Sequence, residues 1–207
     1  ALEWLGTYHA PVIVLSATLP QKRRFDLIKA YLGKKDMDEN ADWCNTAGYP
    51  LFTWTDGEQV CQKQMSLGVE KDIIQVIRSK DEECMDILKN SLKDGGCAGI
   101  ILNTVARAQD FAQKLSECFP ECEMIQMHSQ FIISDRAEIE REILKRAGKN
   151  STPEQRNKLI IVGTQVLEQS LDIDFDVMIT DLCPMDLLLQ RIGREHRHKG
   201  RKRPLCL

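Results

Sequence analysis

The chain alternates short, wholly apolar runs with longer segments in which apolar residues recur every three or four positions. Uninterrupted apolar runs bounded by Gly, Pro or polar residues read as strands buried on both faces of a parallel sheet. Four stand out: Pro11-Val12-Ile13-Val14-Leu15, Gly99-Ile100-Ile101-Leu102-Asn103, Leu159-Ile160-Ile161-Val162 and Val177-Met178-Ile179. Shorter strands are expected at 72–78 and 124–127. Helical spacing predicts helices over 21–32, stopped by Gly33, and over 81–92, stopped by Gly95-Gly96. Two more are expected over 104–117, capped by Thr104, and to about 146, capped by Ser134 or Asp135. A last helix is expected over 185–197. Residues 34–70 are punctuated by Gly and Pro and read as irregular, with short strands near 50–54 and 64–69. Residues 149–156 read as a polar loop, and 204–207 as the start of a further strand. Strands alternating with helices of this length specify an α/β fold, a doubly wound parallel sheet flanked by helices with right-handed crossovers.

In such sheets ligands gather at the carboxyl ends of the strands. The polar motifs fall there: Ser16-Ala17-Thr18, Asn103-Thr104, His128-Ser129, Gly163-Thr164-Gln165 and Asp181. Taken singly, each has an ordinary reading as a helix cap or a satisfied core histidine. Taken together, Asn103, Thr104 and His128 read as donors to a nucleic-acid backbone. Gly163 is expected to bring the backbone close at Thr164, with helix-end N–H groups facing an anion. Ser16 and Thr18 read as relays between a nucleotide site and a neighbouring domain. Asp172 suits a ribose hydroxyl or an arginine partner.

Residues 190–198, Gln-Arg-Ile-Gly-Arg-Glu-His-Arg-His, carry the most chemistry. On a helix running to 197, Gln190, Arg194 and Arg197 lie at i, i+4 and i+7 and share one face. Gly193 adds no side chain beside them, so a phosphate or another backbone can approach. Two permanently charged, planar guanidiniums and an amide suit a polyphosphate whose charge shifts during transfer. The competing reading is a solvated basic helix end favoured by the helix dipole. Arg191, Arg194, Arg197, Lys199, Arg201, Lys202 and Arg203 face only Glu195 among acids in that stretch, which suggests a local phosphate-binding patch. A net charge of −3 over 207 residues removes any global attraction to nucleic acid.

No apolar run reaches the roughly 18 residues of a membrane span. The eight cysteines include no Cys-x-x-Cys pair, and Pro120 interrupts Cys118 and Cys122, so free thiols in a reducing cytoplasm are expected and no metal site. Cys97 and Cys183 read as small buried hydrophobes. His196 and His198 would need carboxylate partners to hold a metal, and the sequence alone does not place them. The N-terminus has no basic signal region and no initiator methionine and reads as the inside of a helix, which suggests an excised fragment. There is no Gly-x-x-x-x-Gly-Lys-Ser/Thr loop and no Asp-Glu-x-His motif. A chain with fingers for phosphoryl transfer and no phosphate cradle is expected to hold half a site.

Residues 12–20, 99–111 and 158–198 resemble the blocks of superfamily 2 helicases from the third motif onward. Ser16-Ala17-Thr18 is similar to the motif coupling hydrolysis to strand separation, residues 163–173 to the fifth motif, and residues 190–198 to the sixth. The Arg197-His198 ending, the Ser-Ala-Thr-Leu-Pro start and Pro50-Leu51-Phe52-Thr53-Trp54 resemble a narrower group, the helicase-nuclease of type I CRISPR interference. The resemblance implies a RecA-like fold: the end of a first RecA-like domain over 1–40, a linker over 41–70 and a second RecA-like domain over 71–207. It implies an ATP-dependent 3′→5′ DNA helicase working with Mg2+, in which Arg194 and Arg197 are arginine fingers and Gln190 contacts the γ-phosphate. Asp172 would approach the ribose, Asn103, Thr104, His128, Thr164 and Gln165 would touch single-stranded DNA, and Ser16 and Thr18 would couple the two. Upstream RecA-like and nuclease domains and a Cascade-type CRISPR surveillance complex would be its partners. Alone, without the Walker A and B motifs and the nuclease domain, this chain is expected to be inactive. Two alternatives stand beside this: a nucleic-acid or protein-binding module without catalysis, and an RNA helicase of the Asp-Glu-Ala-His group.

Overall fold

The computed structural model describes residues 1–16, 18–34, 36–66, 74–168, 171–201 and 203. They form two compact units, Ala1–Gln75 and Val76–Leu207.

The first unit holds α1 (Leu2–Thr7), α2 (Gln21–Leu32), α3 (Asp42–Asn45), β1 (Leu51–Thr55) and β2 (Val60–Gln64). Helix α2 has the expected bounds and ends at Gly33, whose φ of +65° only glycine adopts without strain. Arg24 on α2 donates to the carbonyls of Trp43, Cys44 and Thr46 at 3.0–3.1 Å, satisfying acceptors that the end of α3 leaves open. β1 and β2 pair antiparallel. The strand expected at 11–15 does not form: Ile13 is 85% and Leu15 89% exposed. A parallel strand exists only through a neighbour's backbone groups, and the sheet described in this unit, β1–β2, pairs with itself. The second strand of the hairpin lies at Val60–Gln64 rather than 64–69; residues 67–69 lie outside the described residues. Likewise 74–78 forms no strand, and 72–73 lie outside.

The second unit runs α4 (Asp81–Leu92), β3 (Cys97–Ile101), α5 (Val105–Cys118), β4 (Glu123–Met127), α6 (Ile133–Ala147), β5 (Leu159–Gly163), β6 (Val177–Thr180) and α7 (Met185–Ile192). Its sheet is parallel throughout, in the order β4-β5-β3-β6. Alternation along the central strands divides the core in two. Ala98, Ile100, Leu102, Ile160 and Val162 pack with Leu88 and Leu92 of α4 and Phe111 and Leu115 of α5. Cys97, Ile101, Leu159 and Ile161 pack with Ile143 and Ala147 of α6 and with Phe175. Helices therefore cover both faces, as the unbroken apolar strands require. Gly99 is needed on the second face, because a Cβ there would lie 2.4 Å from the Phe175 ring. Cys97 is fully buried and its thiol is pushed up to about 12 by loss of water, so it is a core hydrophobe; Cys183 is only half-buried.

Two helix ends differ from expectation. α6 starts after Ile132 with no side-chain cap, and Ser134 bonds instead to its neighbour Asp135 at 3.1 Å inside the first turn. α7 stops at Ile192, five residues short of 197. The strand expected over 204–207 lies outside the described residues.

Candidate functional site

The loops after β3, β5 and β6 are tied together at the carboxyl ends of the strands. Asn103 donates its backbone N–H to Asp181 Oδ2 at 2.8 Å and its side-chain amide to the Leu182 carbonyl at 2.9 Å. Gln165 Nε2 reaches the Asn103 carbonyl at 3.4 Å. Arg107 grips Asp81 with two nitrogens at 2.8 and 3.1 Å and Asp181 with a third at 2.8 Å. These two carboxylates hold the Arg107 guanidinium well above its ordinary pKa, and Arg107 in turn holds Asp81 below the usual carboxylate range.

Arg191 sits at the centre of this arrangement with no exposure. Its Nε donates to Glu168 Oε1 at 2.7 Å, Nη2 to Asn103 Oδ1 at 3.3 Å, and Nη1 to the Asp181 carbonyl at 3.2 Å and to the Thr180 hydroxyl. The competing reading of a solvated basic helix end is thus set aside, and most arginines of the expected phosphate-binding patch have acidic partners. Arg191 pairs with Glu168 and Arg197 with Asp172, while Arg201 and Arg203 both pair with Asp174. The acids that neutralise the patch lie 23 to 29 positions upstream in sequence, so counting charges within 190–203 could not find them.

The one-face placement of Gln190, Arg194 and Arg197 is also corrected. Gln190 is exposed on α7, but Arg194 and Arg197 lie beyond its end. The backbone after Gly193 leaves the helix because residues 174–176 take its hydrogen bonds. Phe175 N–H donates to the Arg194 carbonyl at 2.8 Å, and His196 N–H to the Phe175 carbonyl at 3.0 Å, with His196 at φ +50°. A Cβ on Gly193 would meet only ordinary contacts at 3.5 Å, so close approach is not what that glycine serves within this unit. Half-buried Arg194 donates to the carbonyls of Leu171 and Glu168, the latter at 2.8 Å. Burial, and then Arg197, push its pKa down. Arg197 is exposed, with Nε 2.7 Å from Asp172 Oδ1. His198 Nε2 lies 3.2 Å from the same oxygen, and His198 and Arg197 together hold Asp172 below the usual carboxylate range.

The remaining expected residues take varied places. Thr104 caps α5 by accepting from Arg107 N–H at 3.2 Å. Thr164 is buried and gives its N–H to the Met127 carbonyl at 3.3 Å, and a three-residue turn, Gln165–Leu167, follows it. Gly163 serves the strand pair instead, since a Cβ there would lie 2.3 Å from the Met127 carbonyl. Ser16, in the other unit, accepts from Thr18 N–H at 3.3 Å, and Ala17 lies outside the described residues. Among the described residues no group of three or more His, Cys, Asp or Glu is arranged to hold a metal ion. No helix of the described residues is long and apolar enough to cross a membrane.

His128 is buried at the end of β4, stacked on Phe131 at 4.3 Å, with Nδ1 unpartnered among the described residues. Burial lowers its pKa. The unfolded chain therefore takes up this proton first, and the contribution of neutral His128 is lost as pH falls from about 6.5 through the folded value. Denaturant midpoints at pH 7.5 and 5.5 are expected to differ less for His128→Phe than for the natural protein. An unchanged difference would count against the buried neutral ring.

The sequence patterns missed Glu168, Asp174, Asp176 and Arg107, whose roles lie in the pairing of distant segments. The model of the family described as "CRISPR-associated nuclease/helicase Cas3, C-terminal" matches residues 94–200. The chain is similar to the CRISPR-associated nuclease/helicase Cas3 of Streptococcus thermophilus, 48% identical over 99% of this chain and 22% of that protein. It is similar in structure to T. fusca Cas3 bound to AMPPNP, with a TM-score of 0.82, 33% identity, and coverage of 98% of this chain and 26% of that one. A chain of a CRISPR RNA-guided surveillance complex, pre-nicking, matches with a TM-score of 0.78 and 32% identity over 98% of this chain and 27% of that one. The chain spans about a quarter of the length of these relatives. The matches make the parallel sheet RecA-like.

Proposed function

The chain belongs to the family of CRISPR-associated nuclease/helicase Cas3 C-terminal domains, and from that premise we propose that it is the RecA-like half of an ATP-driven helicase that supplies arginine fingers to a site completed outside it. The observation that carries this reading is the division of labour in residues 190–197. Arg191 is wholly buried and clamps three loops, whereas Gln190 and Arg197 of the same segment remain exposed. A solvated basic helix end would bury none of them, and a core segment would expose none.

In this reading Arg197 stabilises charge on the transferred phosphoryl group, and Gln190 and Arg194 assist. The donor set fits a polyphosphate better than a base, because exposed Arg197 offers three further N–H hydrogens beyond those given to Asp172 and the Gly193 carbonyl. Arg194 must let go of the Leu171 and Glu168 carbonyls to take a direct part. Asp172 would accept from the ribose, and the phosphates with their Mg2+ would be held mainly by residues of the first RecA-like domain. Asn103, Thr104, His128, Thr164 and Gln165 are proposed to line the path of single-stranded DNA drawn in the 3′→5′ direction, and Ser16 and Thr18 to couple that movement to hydrolysis. Buried His128 and Thr164 would act there through the loops they fix. The likeness to a chain of a CRISPR surveillance complex supports a Cascade-type partner, and the cytoplasm is proposed as the place of action.

The test is ATP hydrolysis by the full-length protein with single-stranded DNA, single-stranded RNA or neither. Stimulation by DNA alone is expected. Stimulation by RNA alone would assign it to the RNA helicases, and no hydrolysis at all would leave a binding module.

A further inference from the structure

The carboxylate of Asp174 is engaged on both oxygens, and neither the motifs nor the proposed reaction uses it. It is wholly buried, in the turn leading into β6. Oδ1 accepts the backbone N–H of Arg197 at 2.8 Å and Arg203 Nη2 at 3.0 Å. Oδ2 accepts Arg203 Nη2 at 2.9 Å and forms an ion pair with Arg201, whose Nε lies 3.1 Å away, with His198 Nδ1 at 3.7 Å. Arg203 also reaches Asp176 Oδ1 at 2.7 Å, and Asp176 Oδ2 takes Arg156 at 3.0 Å and the Cys97 N–H of β3 at 2.8 Å. The cluster is thereby pinned to a central strand of the sheet.

A buried carboxylate persists only where donors surround it, and its geometry is then closely set. Here one of those donors is the amide of Arg197 itself. Because α7 has ended five residues earlier, no helical hydrogen bond places that residue. Its backbone is held from one side by the Phe175 pairing with Arg194 and His196, and from the other by Asp174. We propose that Asp174, fixed by Arg201 and Arg203, is a positioning residue that sets the place of the Arg197 guanidinium for phosphoryl transfer. This rests on the reading of Arg197 as a finger. A misplacement of about 1 Å in such a group costs on the order of a hundredfold in rate, so losing this one anchor matters even when the fold survives.

The experiment is a mutant cycle on ATP turnover and KM in the full-length protein, with Asp174→Asn, Arg197→Ala and both together, and thermal unfolding of each. Asp174→Asn is expected to lower kcat by about ten- to a hundredfold with KM within about threefold. In the Arg197→Ala background the same change is expected to lower kcat no further, because a residue that acts through Arg197 has nothing left to place. Equal losses in both backgrounds, or a lowered melting temperature with kcat intact, would overturn the proposal. If Asp174→Asn does not fold, Arg201→Gln, which removes one support and leaves Arg203 in place, is expected to give a smaller loss with the same dependence on Arg197. Its absence would likewise overturn the proposal. A natural protein that turns over no ATP, or an Arg197→Ala variant with natural turnover, would instead refute the finger reading, a separate outcome.

Discussion

Replacing Arg197 by alanine in the full-length protein is expected to lower DNA-stimulated ATP turnover by about a thousandfold or more, while ATP binding changes little. The magnitude follows from what a finger does. Its charge meets charge that develops only as the phosphoryl group moves, so its loss raises the barrier far more than it weakens the ground state. The structure favours a clean result. Arg197 is exposed, and among the described residues its side chain bonds to Asp172 at 2.7 Å and, more distantly at 3.4 Å, to the Gly193 carbonyl. An exposed ion pair of this kind contributes little to stability, so the variant should fold as the natural protein does. Single-turnover hydrolysis and equilibrium nucleotide binding, measured on one preparation, check both halves of the expectation. Natural turnover in the variant would end the finger assignment. A matched loss of binding would recast Arg197 as a ground-state contact.

Arg191→Ala is expected to fail in a different way, by destabilising the unit that carries it. Arg191 has no exposed surface, and its partner Glu168 is buried. Removing one member of a buried ion pair typically costs about 3–5 kcal/mol, because the other charge stays desolvated and unpaired. Thr180, Asn103 and the Asp181 carbonyl lose a donor as well. A loss of that size is a large fraction of the roughly 5–15 kcal/mol that holds a typical domain together. Chemical denaturation of the protein should show an early transition for Arg191→Ala. Arg191→Met combined with Glu168→Leu should recover much of it, since an apolar pair of similar volume leaves no orphaned charge. Equal instability in single and double variants would mean that the loop contacts, and not the ion pair, carry the cost. Adjacent arginines in one motif are thus expected to divide cleanly, Arg197 in turnover and Arg191 in stability.

Much of the architecture was legible before any coordinates. Helices α2 and α4 have the bounds their spacing predicts, and β3, β4, β5 and β6 lie within two residues of the apolar runs that announced them. Local periodicity suffices there, because each run is buried by whatever covers a parallel sheet. The run at 11–15 shows the limit of the same argument. Its apolar pattern is as good as that of β3, yet Ile13 and Leu15 stand exposed, since a strand is completed by neighbours that composition does not supply.

The site divides along the same line. That the polar motifs after β3, β4, β5 and β6 would gather at one end of the sheet followed from chain order and the handedness of crossovers, and the motifs pointed to a helicase of the Cas3 family. Which arginine would be buried did not follow. Arg191, Arg194 and Arg197 are the same residue type at equal spacing, and a helix through all three was the simplest local reading. Their fates were set by partners 23 residues away: Glu168 draws Arg191 inside, the Leu171 carbonyl holds Arg194, and Asp174 takes the Arg197 amide. Hydrophobic periodicity is written in neighbouring residues and can be read from them. Electrostatic pairing depends on distances that come into being only when the sheet closes, and in this protein those distances separate a structural arginine from a proposed catalytic one.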